Sequence, residues 1–269
     1  MAHLGLDYRR FTIANEFVNA RTRSDDFTLS GSGEYLMSDK VGLRALADYA
    51  TSQYLTAGYS DTAMYDLGLY GVYVYSPKLK LLAGYTHVES WTSHKVALGN
   101  SVANRDARFA VGAEGEIAPK VTGAVNIGLN RRTFEKSGFS GSTDVYLSSQ
   151  LSWAAAEKTR WTLTATRALG VTAADQSVKT FTVMAAVSQG LAEKLTLEAG
   201  AGWTENDFQS YGGTLNRNDH GYSLRSRLVY AVRENFSCDV SAGYRDNSSN
   251  FLVATYDRFT FGVGATVRF

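Results

Sequence analysis

Apolar and polar residues alternate along most of this chain. In the last stretch Phe259, Phe261, Val263, Ala265, Val267 and Phe269 share one parity, and Arg258, Thr260, Gly262, Gly264, Thr266 and Arg268 share the other. Phe236, Cys238, Val240, Ala242 and Tyr244 likewise oppose Ser237, Asp239, Ser241, Gly243 and Arg245. A period of two is the mark of a strand with one apolar and one polar face. The pattern predicts about 14 strands, near 3–13, 27–37, 41–53, 62–75, 79–91, 107–117, 121–133, 143–154, 159–170, 179–190, 195–206, 220–232, 236–247 and 254–269. Residues 9–26 break parity, which predicts a bulge or an early loop there.

A short turn recurs between these strands. It reads Ser38-Asp39-Lys40, Ser76-Pro77-Lys78, Ala118-Pro119-Lys120, Ala156-Glu157-Lys158 and Ala192-Glu193-Lys194, with Arg233-Glu234-Asn235 as a looser copy. The lysines step by 38, 42, 38 and 36 residues, a spacing that signals a repeated hairpin. Both prolines fall in these turns, where a missing N–H costs nothing. The opposite connections, near 54–60, 92–105, 134–142, 172–177, 207–218 and 248–253, are longer and hold Gly, Ser, Asn and Asp. Short turns at one end and longer loops at the other predict one domain, 1–269: an all-β, antiparallel, up-and-down transmembrane barrel of about 14 strands.

The competing fold is a soluble β-sandwich or lipocalin-like barrel, which would turn its apolar face inward. Aromatics on the apolar parity decide against it, because they gather at strand ends. Tyr35, Tyr73, Tyr75, Trp153, Trp161 and Phe269 lie near the short turns; Tyr49, Tyr65, Trp91, Phe109, Trp203, Tyr222 and Tyr244 lie near the loops. Two such belts suit two membrane interfaces.

Composition sharpens this picture. The mean hydropathy of -0.20 and the absence of an apolar run of about 18 residues exclude membrane helices, but not strands facing lipid with every second residue. A single Cys excludes a disulfide framework and a Cys-rich zinc site. A net charge of +1 gives no reason to expect nucleic acid. Nothing calls for a cofactor or a metal.

The polar parity lists the expected pore-lining groups: Arg225, Arg227, Arg245, Arg258, Arg268 and Arg9 on one side, Glu34, Asp48, Asp66, Glu114 and Glu116 on the other, with Glu198. The first group comes from the last three strands and the first, which adjoin once a barrel closes, so a basic wall facing a more acidic one is expected, with lumen charges that merely pair with each other as the alternative. Inward aromatics are few, Tyr70 and Tyr146 by parity, too few for a sugar slide. No loop is long enough to make a large plug.

An enzymatic reading needs a poised His. His94 with Asp106 and His220 with Asp219 are the candidate pairs, but no nucleophile elbow, His-Glu-x-x-His or P-loop accompanies them. No catalytic residue is assigned.

The C-terminal Gly264-Ala265-Thr266-Val267-Arg268-Phe269 resembles the signal by which barrel-assembly machinery recognises bacterial outer-membrane proteins. The whole chain resembles the bacterial outer-membrane porins. Its hairpin Gly243-Tyr244-Arg245-Asp246-Asn247-Ser248-Ser249 followed by Tyr256-Asp257-Arg258 is similar to the putative β-barrel porin-2 type. That resemblance implies an outer-membrane location beside lipid and lipopolysaccharide. It also implies a pore for small hydrophilic solutes or for an exported polysaccharide, and a possible periplasmic or extracellular secretion partner. A structural barrel that docks a partner, or a rim-type hydrolase, are the alternatives. No signal peptide precedes the first strand, so the leader is read as removed or replaced.

Overall fold

The computed structural model describes all residues except 1, 16, 19, 94–102, 136–139, 175, 210–215 and 269. The described residues form one antiparallel sheet of 14 strands in chain order. These are β1 (Ala2–Asn15), β2 (Ala20–Leu36), β3 (Val41–Tyr54), β4 (Thr62–Ser76), β5 (Leu79–Thr92), β6 (Asn104–Ala118) and β7 (Val121–Phe134). They continue as β8 (Ser142–Ala156), β9 (Thr159–Val171), β10 (Ser177–Ala192), β11 (Leu195–Gln209), β12 (Arg217–Arg233), β13 (Phe236–Ser249) and β14 (Tyr256–Val267). The predicted alternation is therefore realised as an up-and-down meander, strand for strand.

The repeated lysine turn has a structural purpose. Five short-turn hairpins slip register by one residue just before the turn, skipping Tyr75, Ile117, Ala155, Leu191 and Val232. The carbonyl of each lysine turn then accepts an amide N–H from the next hairpin along. Val74 donates to Lys40, Glu116 to Lys78, Ala154 to Lys120, Gly190 to Lys158 and Ala231 to Lys194, at 2.8 to 2.9 Å. Arg268 donates to Asn235 in the same way. The period in sequence is thus a stitch that joins successive hairpins along the short-turn rim. Gly115 sits beside this stitch with φ +121, where a Cβ would lie 2.0 Å from the Lys78 carbonyl oxygen. Only glycine fits.

The parity break at 9–26 is not a bulge. The β1–β2 ladder runs without a register shift from Ala2–Gly33 to Asn15–Ala20. Polar residues occupy both faces because the hairpin extends past the apolar belt, where an outward Arg10 pairs with Asp25 at 2.5 Å. An outward residue there has no reason to be apolar.

Contacts between non-neighbouring strands identify the concave face, since only that side can bring them together. Arg44 on β3 reaches Glu114 on β6, and Arg132 on β7 reaches Gly170 on β9. The polar parity is therefore concave and the apolar parity convex. Convex side chains such as Leu67, Leu69, Phe109, Leu129, Trp153 and Phe261 are exposed, as a lipid-facing surface requires. The belts expected from sequence lie on this face. Tyr65 meets Trp91 with ring centroids 6.1 Å apart, Phe181 meets Trp203 at 5.5 Å, and Trp153 stands opposite Trp161. Phe269 lies outside the described residues.

The sheet curls strongly. Phe17, in the turn after β1, packs edge-on against Phe208 near the end of β11, with centroids 6.1 Å apart. Even so, β1 and β14 remain the two edges, and no ladder joins them among the described residues.

Candidate functional site

The concave face divides into three zones. At the short-turn end a charged network spans β2 to β6. Arg44 Nη2 lies 2.5 Å from both Glu34 and Glu114, and Lys80 Nζ lies 2.5 Å from Glu34. Glu34 and Arg44 are direct cross-strand partners, as are Lys80 and Glu114. Period two places them inward, and register places them side by side. Glu116 stands at the rim, where its carboxylate meets Lys78 Nζ at 2.7 Å and holds that turn ammonium above its usual pKa.

At the long-loop end the concave face is packed shut. Arg132 and Asp106, cross-strand partners on β7 and β6, form an ion pair of 2.7 Å with side chains only 2% and 1% exposed. Asn130 donates to the same carboxylate. The remaining Arg132 nitrogen, Nη1, donates to the Gly170 carbonyl at 3.0 Å and to Ser177 Oγ at 2.8 Å. A buried guanidinium with this many acceptors is satisfied rather than stranded.

These acceptors belong to the tip of the β9–β10 hairpin. The β8–β9 ladder stops at Leu147–Arg167, whereas the β9–β10 ladder runs on to Val171–Ser177. Freed from β8, the tip folds over the concave face. Thr172, Ala173, Ser177 and Val178 are buried there, and Ser60 N–H donates to the Ala173 carbonyl at 3.0 Å. A cavity of about 240 Å³ remains between this tip and β3 to β7, lined by Asp66, Arg108, Arg132 and Gly170 among others. Phe208, 1% exposed, adds a second cover: Arg217 stacks over its ring at 4.4 Å and is held by Asp219. The short loops favour an open pore unless side chains close it, and here buried side chains at the strand ends narrow it. Residues 94–102 and 210–215 of the two longest loops lie outside the described residues, and buried strand-end side chains such as Arg132, Ser177 and Phe208 narrow the mouth.

The third zone is open. A hollow of about 620 Å³ lies on the concave side of β9 to β14, with Arg160, Glu198, Arg225 and Arg227 in its wall. Arg227 is shared between Asp239, at 2.8 Å, and Glu198, at 3.7 Å.

The expected pore residues therefore sort differently from two opposed walls. Glu34 and Glu114 are neutralised by Arg44 and Lys80, and Arg227 by its two acids. Asp48 and Asp66 face each other across β3 and β4, and Arg245 and Arg258 across β13 and β14. Arg9 is tied to Asp7 at 2.7 Å on the β1 edge, away from any β14 ladder. Arg268 lies past the end of β14, at the stitched rim. Register, invisible to parity, decides which charges adjoin: opposite signs meet at Arg44, Lys80 and Arg227, and like signs stand opposite each other at Asp48–Asp66 and Arg245–Arg258.

Tyr70 and Tyr146 face inward as expected. The first shares a hydrogen bond of 2.7 Å with Thr86, and the second carries the Arg108 guanidinium 4.1 Å above its ring. Of the candidate catalytic pairs, His94 lies outside the described residues, and Asp106 is committed to Arg132. His220 and Asp219 occupy opposite faces of β12, with Asp219 held by Arg217. The tip contacts of Gly170, Ser177 and Ala173 were missed from sequence, because a long-range hairpin fold leaves no periodic trace.

The sequence matches the family described as putative beta-barrel porin 2 over residues 61–269. A search of the curated proteins finds no match. Among solved structures the chain is similar to the FrpB iron transporter from Neisseria meningitidis, with TM-score 0.55 and 10% identity, covering 100% of this chain and 53% of that one. It is also similar to the alcaligin outer-membrane receptor FauA from Bordetella pertussis, with TM-score 0.52 and 10% identity, covering 100% of this chain and 54% of that one. The chain spans about half the length of those two proteins, and the likeness is one of fold.

Proposed function

Because the chain belongs to the putative beta-barrel porin 2 family, we propose that it is a channel through which small hydrophilic solutes cross the bacterial outer membrane passively. The observation that carries this reading is the open hollow on the concave side of β9 to β14, with Arg160, Glu198, Arg225 and Arg227 in its wall, backed by a convex face fit for lipid. Charged and hydroxyl groups on the inner wall replace part of a solute's hydration shell, while no apolar ring series binds it tightly. The packed mouth sets the size limit. With Arg132 fastening the β9–β10 tip over the entrance, a small solute is favoured over a polymer, so export of polysaccharide is the weaker variant of the reading.

The same packing favours a second reading, a narrow scaffold that docks a partner. Liposome swelling separates the two. Proteoliposomes are diluted into isotonic pentose, hexose and disaccharide. The channel predicts swelling that slows steeply with sugar size. No swelling in any sugar supports the scaffold and contradicts the channel.

A further inference from the structure

We propose that the hollow between β9 and β14 contains a binding subsite for a small oxyanion, a carboxylate or a phosphate, held by Arg160 and Arg225. This deepens the channel reading by naming the class of solute the wall would retain. Arg44, Lys80, Arg132, Arg217 and Arg227 on the concave face each have a carboxylate within hydrogen-bond reach. The guanidiniums of Arg160 and Arg225 have no hydrogen-bond or ion-pair partner among the described residues, yet both residues line the same 620 Å³ hollow and both are exposed.

The floor between them is low in the row of Arg225, and carries Ser188 and Glu198 in the row of Arg160. Arg225 stands opposite Gly200 on β11, which stands opposite Ala186 on β10. A Cβ on Gly200 would come 3.1 Å from Arg225 Nε, so the guanidinium lies across the glycine. Arg160, on β9, stands opposite Ser188 at the adjoining register row. The two arginines thus stand on either side of Ala186 and Gly200 in one row and of Ser188 and Glu198 in the next. Two planar forks with free donors match the paired oxygens of a carboxylate or phosphate. Glu198 on this floor is paired with Arg227 at 3.7 Å, and Arg227 with Asp239 at 2.8 Å. Three cations against two carboxylates leave the site with a net positive charge.

The test is calorimetric titration of the whole chain in detergent micelles with inorganic phosphate and, separately, with malonate. The site predicts saturable binding of at least one anion, weakened tenfold or more in Arg160→Gln/Arg225→Gln and by less in Arg160→Lys/Arg225→Lys, which keeps the charge and loses the fork. Phosphate alone or malonate alone binding identifies which oxyanion the site takes. Equal binding by the Gln variant, or no saturable binding of either anion to the parent, overturns it. Folding of each variant is checked by its heat-dependent gel shift, so loss of binding is read only from folded protein. Binding does not depend on conduction: anion binding without sugar permeation would overturn the channel alone, and permeation without binding would overturn the subsite alone.

Discussion

Arg132 and Asp106 form a buried ion pair of 2.7 Å on the concave face, and the same guanidinium reaches across to the tip of a hairpin two strands away. The pair is both a piece of the wall and the fastening of a cover. Removing one partner leaves the other charged and dry, at a cost of about 3–5 kcal/mol. Arg132→Ala or Asp106→Ala is therefore expected to lower the urea midpoint of unfolding markedly. The joint replacement Arg132→Met/Asp106→Leu is expected to recover most of that loss, because it removes both charges and keeps the volume. Single and double variants losing equal stability would contradict this account of the pair.

The rim stitch gives a backbone prediction. Gly115→Ala would press a methyl group to 2.0 Å from the Lys78 carbonyl at a φ of +121. A destabilisation of about 1–3 kcal/mol is expected from that strain. Gly33→Ala, where an added Cβ meets nothing within 4 Å, is the comparison and is expected to change little. Refolding yield into vesicles and the urea midpoint both report it.

All four tryptophans, Trp91, Trp153, Trp161 and Trp203, lie on the convex parity in the two belts. Their fluorescence is expected to be quenched by brominated lipid and largely protected from aqueous iodide. Strong iodide quenching with no effect of brominated lipid would mean that the apolar face is not the one in the bilayer.

The fold was legible because lipid and water on opposite faces impose a period of two on nearly every strand, and because the lysine turns repeat. Phe259, Phe261 and Val263 could be placed outward, and Arg225 and Arg227 inward, from parity alone. What parity cannot show is register. Glu34 with Arg44 and Lys80 with Glu114 look like members of separate charge lists until cross-strand pairing sets them side by side. Residues 9–26 misled for a related reason: a strand that rises beyond the apolar belt loses its alternation without losing its ladder. The closing of the mouth was out of reach altogether. Gly170, Ala173 and Ser177 carry no pattern that foretells a hairpin leaving β8 after Arg167 to meet Arg132.

The central claim is a channel narrowed by the β9–β10 tip, and single-channel recording in planar bilayers tests it most directly. The parent chain is expected to show a small, steady conductance. Arg132→Met/Asp106→Leu, which releases Gly170 and Ser177 from their tether, is expected to raise that conductance or make it flicker between two levels. Silence from both proteins, with folded barrels demonstrated in the same vesicles, would contradict the claim.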